Sequence, residues 1–168
     1  GVAEKINAVP SMFIGTTQLS PFNVTQLYQT IAANGYKTPL KAIRSVLDEN
    51  NKPLKRFPFD LNQTLDDKTV HLVQRALVYV GEQGSARRAR AKLPAGFQFA
   101  GKTGTSGSQR DSWFAGFTGD MLAVVWLGND DNTPTALTGS SGALPVWADL
   151  IASASKQPLN LAPRSDMD

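Results

Sequence analysis

A lysine, two threonines and a glycine in unbroken succession can hold a small anion against extended backbone. The chain has one such run, Lys102-Thr103-Gly104-Thr105, at the end of a short alternating apolar stretch that begins at Phe97. The lysine brings positive charge to a site for a carboxylate. The threonine hydroxyls add hydrogen bonds, which strengthen when one partner is charged. The glycine lets a substrate backbone approach the strand closely. A free strand edge can pair with an extended peptide, and its N–H groups can serve an oxyanion hole. Substrate binding falls on Lys102, Thr103, Gly104 and Thr105. In a regular strand Lys102 and Thr103 point to opposite faces.

Two other patterns compete for the same chemistry. Gly96 to Thr103 fits the phosphate-cradling G-x-x-x-x-G-K-[ST] loop, and Val124 to Asp130 imitates the apolar strand and aspartate that would hold a magnesium ion. That loop needs a buried strand before Gly96 and a helix directly after Lys102. Lys92-Leu93-Pro94-Ala95 stands before it, Gly104 and Gly107 follow, and Phe97-Gln98-Phe99-Ala100 has a strand pattern. The context therefore disfavours phosphate. A non-catalytic peptide-binding module is a third reading, opposed by the intact Lys102–Thr105 run. The single Ser-x-x-Lys, Ser153-Ala154-Ser155-Lys156, puts its serine and lysine on one helix face.

Composition removes other classes. Without cysteine there are no disulfides, thiolate metal sites or cysteine nucleophiles. The one histidine, His71, reads as a surface or boundary residue of a helix. No cofactor and no metal are called for. The net charge of +3 is too small to argue for nucleic acid, and the basic run 85–92 lacks interleaved aromatics, so it reads as a solvated loop. No apolar run reaches membrane-spanning length. A soluble chain is expected, with any membrane anchor outside these residues.

The elements that must position Lys102 follow from pattern. Pro10-Ser11 and Gly15-Thr16-Thr17 read as turns. Ser20-Pro21 opens a helix, which Asn34-Gly35 ends. Residues 40–47 and 52–57 form a hairpin around Asp48-Glu49-Asn50-Asn51. Thr64 caps a helix running to Val80. Strands follow at Phe97–Thr105, Asp111–Phe117 and Met121–Gly128, the last two joined tightly at Gly119-Asp120. The third is apolar at nearly every position and is expected to be central, covered on both faces. Trp113 and Trp126 read as core, with Trp113 also able to line a cleft rim; Asp130 and Asp131 read as turn residues. Pro145 starts a last helix that packs Val146, Trp147, Leu150 and Ile151 on the sheet and stops at Pro158. The fold class is α+β, an antiparallel sheet flanked by helices.

In its wider setting the run resembles a known family. Ala100-Gly101-Lys102-Thr103-Gly104-Thr105, then Asp111-Ser112-Trp113-Phe114-Ala115-Gly116, then Val124-Val125-Trp126-Leu127-Gly128-Asn129 are similar to the transpeptidase domain of bifunctional (class A) penicillin-binding proteins. Thr133 to Ala143 and the front of the chain, Pro10 to Gly15, Leu19 to Pro21 and Gln29 to Ala32, look most like the penicillin-binding protein 1b branch. The resemblance implies a partial β-lactamase/transpeptidase-like fold. It also implies D,D-transpeptidation of peptidoglycan stem peptides ending in D-Ala-D-Ala, at a serine that β-lactams also acylate. Lys102 would then assist proton transfer, Thr103 and Thr105 would hold the carboxylate, and the Thr105 N–H would be one oxyanion donor. Localisation at the periplasmic face of the bacterial inner membrane follows, through an anchor elsewhere in the parent.

The family's nucleophile box S-x-x-K and its S-x-N box precede K-T-G. No Ser-x-Asn occurs here, and Ser153–Lys156 comes after the lysine strand. Residues 1–160 are therefore expected to be the C-terminal portion of the domain, with 161–168 a loose tail. The nucleophile, the S-x-N box and a glycosyltransferase domain would lie upstream, possibly in a separate chain, and this chain alone would be inactive.

Overall fold

The computed structural model describes residues 9–162. Pro10–Ile14 form a short 3-10 helix where turns were expected, closed by Gly15 at φ 86°. Helix α1 (Pro21–Ala32) starts as its sequence predicts: Ser20 Oγ accepts from the Asn23 N–H at 3.2 Å, and Pro21 occupies the first turn. Gly35 ends the segment at φ 91°, and a Cβ there would lie 2.3 Å from the Leu65 carbonyl oxygen.

A pair of two-residue strands, β1 (Tyr36–Lys37) and β4 (Asn62–Gln63), brackets the expected hairpin. Two residues carry no periodicity, so nothing in the pattern of side chains announces this pair. The hairpin is β2 (Ser45–Leu47) on β3 (Pro53–Arg56), narrower than expected. Asp48 Oδ1 organises its turn, accepting from the N–H groups of Asn50 and Lys52 at 2.9 and 2.8 Å.

Helix α2 spans Asp67–Glu82, and its cap is Asp66 rather than Thr64. Asp66 Oδ2 accepts from the Thr69 N–H at 2.9 Å, whereas the Thr64 N–H and hydroxyl both donate to the Gly35 carbonyl. The basic run is not a solvated loop either. Arg87–Ala91 form a 3-10 turn that keeps its arginines exposed and buries Ala86 and Ala89 in the core. Counting charges missed the small apolar residues between them.

The sheet consists of β5 (Ala100–Thr105), β6 (Asp111–Phe117) and β7 (Leu122–Gly128), antiparallel in the order β5-β6-β7. Among the described residues the middle strand is therefore β6, not β7. Strand β7 does have α1 on one face and α3 on the other. Its continuous apolar sequence reported that double cover and carried no information about neighbouring strands.

Helix α3 (Ala143–Ala154) begins two residues before Pro145 and ends before Pro158. It buries Leu144, Trp147, Ala148 and Ile151, while Val146 and Leu150 stay exposed, which corrects two of the four expected contacts. Trp147 is the centre of the core. Its ring lies 5.1 Å from Phe99 and 4.8 Å from Phe114, and its Nε1–H donates to the Gly116 carbonyl at 3.3 Å. Beyond α3 the chain straps back. Asp120 receives the Ser155 hydroxyl at 2.5 Å and the Lys156 N–H at 2.8 Å, and the Leu159 N–H donates to Gln98. Leu159 and Leu161 pack beside Leu77, Val78, Ala100 and Phe117. Residues 163–168 of the expected tail lie outside the described residues.

Candidate functional site

Strand alternation divides the Lys102 run between two faces. Lys102 lies opposite Ala115 and Gly104 opposite Trp113, which in turn faces Trp126 across β7. These residues share one face. Thr103 and Thr105 lie opposite Phe114 and Ser112, on the other face.

The Lys102 face borders a cavity of about 970 Å³, which also reaches Thr103 and Thr105. Its facing wall comes from the Met12–Leu19 segment and from Val24, Leu27 and Tyr28 of α1. Burial pushes the Tyr28 phenol of that wall up to about 12. Lys102 is exposed, and its Nζ donates to the carbonyl of its own neighbour, Thr103, at 2.9 Å. Among the described residues no carboxylate pairs with it. Trp113 and Trp126 line this cavity 6.1 Å apart and do not belong to the core. Trp126 is 40% exposed and donates from Nε1 to Asp111 at 2.9 Å.

The threonine face is crowded with hydrogen bonds. Thr103 Oγ1 lies 2.6 Å from Ser85 Oγ. Thr105 Oγ1 accepts from the Gly139 N–H at 2.9 Å. The 138–142 loop sits directly on the strands, since a Cβ at Gly139 would lie 2.6 Å from the carbonyl oxygens of both Gly104 and Trp113. Ser112 fixes that loop, donating to the Thr138 carbonyl at 2.7 Å and accepting from the Ala143 N–H at 2.9 Å. In the sequence Ser85 figured only within the basic run 85–92, and Gly139 only within Thr133 to Ala143. Only tertiary structure brings them to β5.

The other singled-out residues stand apart. Ser153 donates to the Leu150 carbonyl of its own helix, and neither it nor Lys156 lines the cavity. His71 is buried rather than at the surface, its Nε2 has no hydrogen-bond partner among the described residues, and it too is absent from the cavity wall. Asp131 makes the expected turn bonds, to the Thr133 N–H and hydroxyl, which hold its carboxyl below the usual range. Thr103 lies within β5, and Gly107–Gln109 supply only a short 3-10 turn before β6. A phosphate cradle ahead of a helix is thus ruled out. Among the described residues no cluster of three or more acidic or histidine side chains could hold a metal, and no helix is long and apolar enough to cross a membrane.

Comparison with known proteins agrees on one relationship. The model of the penicillin-binding protein transpeptidase domain matches residues 6–151. Penicillin-binding protein 1B of Vibrio cholerae is 43% identical over 146 residues, 86% of this chain and 18% of its own length. The protein of the same name from Escherichia coli is 37% identical over 165 residues, 98% of this chain and 19% of its own. The solved structure of penicillin-binding protein 1A from Haemophilus influenzae superposes with a TM-score of 0.81 at 19% identity, covering 92% of this chain and 29% of that one, and shares the fold. The chain spans about a fifth of the length of these curated relatives.

Proposed function

The chain belongs to the penicillin-binding protein transpeptidase family, and from that premise we propose that it supplies the K-T-G-T side of a serine D,D-transpeptidase site. The reaction is cross-linking of peptidoglycan stem peptides, in which a D-Ala-D-Ala donor acylates a serine and the acyl group passes to an amine. β-Lactams take the donor's place. The observation that carries the reading is Lys102 on a strand bordering a large cavity, without a carboxylate partner among the described residues.

The chain's residues divide the work. Lys102 sets positive charge where the serine proton moves and the donor carboxylate arrives. Thr103 and Thr105 donate to that carboxylate. Gly104 keeps the strand bare, so a peptide backbone can lie against it. The Thr105 N–H provides one oxyanion donor. The nucleophile is brought by the part of the protein that carries S-x-x-K and S-x-N, which seats in the cavity. Support comes from the cavity's mixed wall, with Met12, Ile14, Leu27 and Trp113 beside the lysine strand, and from the outer edge of β7, which no strand among the described residues covers. The assembled protein works at the periplasmic face of the inner membrane, held by an anchor outside these residues.

Labelling with a fluorescent penicillin tests this. In the longer protein, Lys102→Ala is expected to slow acylation about 100-fold while changing the unfolding free energy by no more than about 0.5 kcal/mol. The 168-residue chain alone is expected to take no label. Labelling at Ser153, or full acylation without Lys102, would refute the assignment.

A further inference from the structure

We propose that Ser85 is a positioning residue for the carboxylate-binding hydroxyls of β5, an inference that rests on the K-T-G-T reading above. Ser85 Oγ lies 2.6 Å from Thr103 Oγ1 across 18 residues of sequence. Ser85 itself is exposed, so nothing about its own burial demands this partner.

Its seat is fixed from both sides. The N–H groups of Gly84 and Ala86 both donate to the Val80 carbonyl, at 3.1 and 3.2 Å. Gly84 packs so tightly that a Cβ would lie 2.9 Å from Val80 Cα, and Ala86 is fully buried. The serine is thus carried on a turn pinned to the end of α2.

The chemistry follows from what a hydroxyl can do. It has one proton and two acceptor positions, whereas a carboxylate only accepts. When Ser85 donates to Thr103 Oγ1, the threonine's own proton is left to point at an outside acceptor. The order Ser85 to Thr103 to carboxylate polarises every bond in one direction. Thr105 is arranged the same way by a donor that cannot reverse, the Gly139 N–H at 2.9 Å. Neither threonine hydroxyl has another partner among the described residues. Two threonines on one face therefore present two directed protons to one anion. Ser85 sets the first, and its effect is confined to ligands that carry the carboxylate.

The test measures acylation of the longer, nucleophile-bearing protein by a peptide thioester whose leaving group ends in a carboxylate, and by the same thioester capped as a methyl ester. Ser85→Ala is expected to slow the carboxylate substrate about tenfold and leave the ester unchanged. Ser85→Thr is expected to restore the carboxylate rate, with thermal midpoints equal throughout. Equal slowing of both substrates would show a merely structural serine and overturn the inference. So would no effect of Ser85→Ala while Thr103→Ala still removes the carboxylate preference, and in that case the K-T-G-T reading would stand. If Thr103→Ala also leaves the preference intact, that reading and the inference fall together.

Discussion

The two faces of the β5-β6-β7 sheet are finished to different degrees. On one face Phe99 and Phe114 are nearly or wholly buried against Trp147 of α3. On the other, Lys102, Trp113 and Trp126 border a cavity of about 970 Å³. Successive residues of one strand belong to these different environments. Lys102 reaches into the open side, while Thr103, on the opposite face, is tied to Ser85 and still borders the cavity. The alternation lets a packed core hold the strand while its lysine faces the cavity, so the cation is positioned before a ligand arrives.

The sharpest way to break this contrast is to truncate one tryptophan from each face. Trp147 is fully buried against Phe99 and Phe114, and its N–H is bonded to Gly116. Trp147→Ala should cost about 3–5 kcal/mol, read as a lowered urea midpoint. Trp113→Ala, on the cavity side, should cost about 1 kcal/mol or less. Equal losses would mean that both faces are load-sharing cores and that the cavity wall is structural.

What the sequence disclosed follows the same division. Periodicity and turn chemistry exposed the three strands, all three helices and the Ser20 cap, because each is a local signal. Lys102 to Thr105 were visible because their types are unusual in combination. Ser85 was not, since a serine at the end of α2 looks like any turn residue until the fold sets it 2.6 Å from Thr103. The burial of Ala86 and Ala89 was hidden by the arginines around them. Thr64 looked like a cap, but its N–H and hydroxyl bond to Gly35, a partner 29 residues away. In the apolar run of α3, Val146 and Trp147 could not be told apart by type; only the position of the sheet decides which is buried.

A milder test adds volume to the closed face. A Cβ at Gly101 would lie 2.6 Å from Phe114 Cζ and 2.9 Å from the Ala115 carbonyl, both held by the core. Gly101→Ala should cost about 1–3 kcal/mol as overpacking. Gly107, with nothing within 4 Å of the same probe, is the control, and Gly107→Ala should be close to neutral. If Gly101→Ala is tolerated as well as the control, Phe114 can move and the closed face is softer than its packing implies. Acylation would then be expected to change too, because Gly101 adjoins Lys102.

The smallest expected effect is a pH dependence at the strap that ties α3 to the β6–β7 turn. The Asp120 carboxyl is held down to about 2, chiefly by the Ser155 hydroxyl, then by the Lys156 N–H and the Thr118 hydroxyl. Its unfolded value is 3.8, so the folded state favours the charged form. The stability this contributes is fully present above about pH 4 and is lost as pH falls towards 2. Asp120→Asn should therefore lower the unfolding midpoint near neutral pH and remove this component of its acid dependence between pH 4 and 2, so that the two proteins converge at the acid end. Because Asp120 is exposed, the difference should be small and should shrink further in salt. An unchanged acid slope in the variant would place the strap's hold in the Gly119–Gln157 and Leu159–Gln98 backbone bonds alone, with the carboxylate a bystander on the closed face.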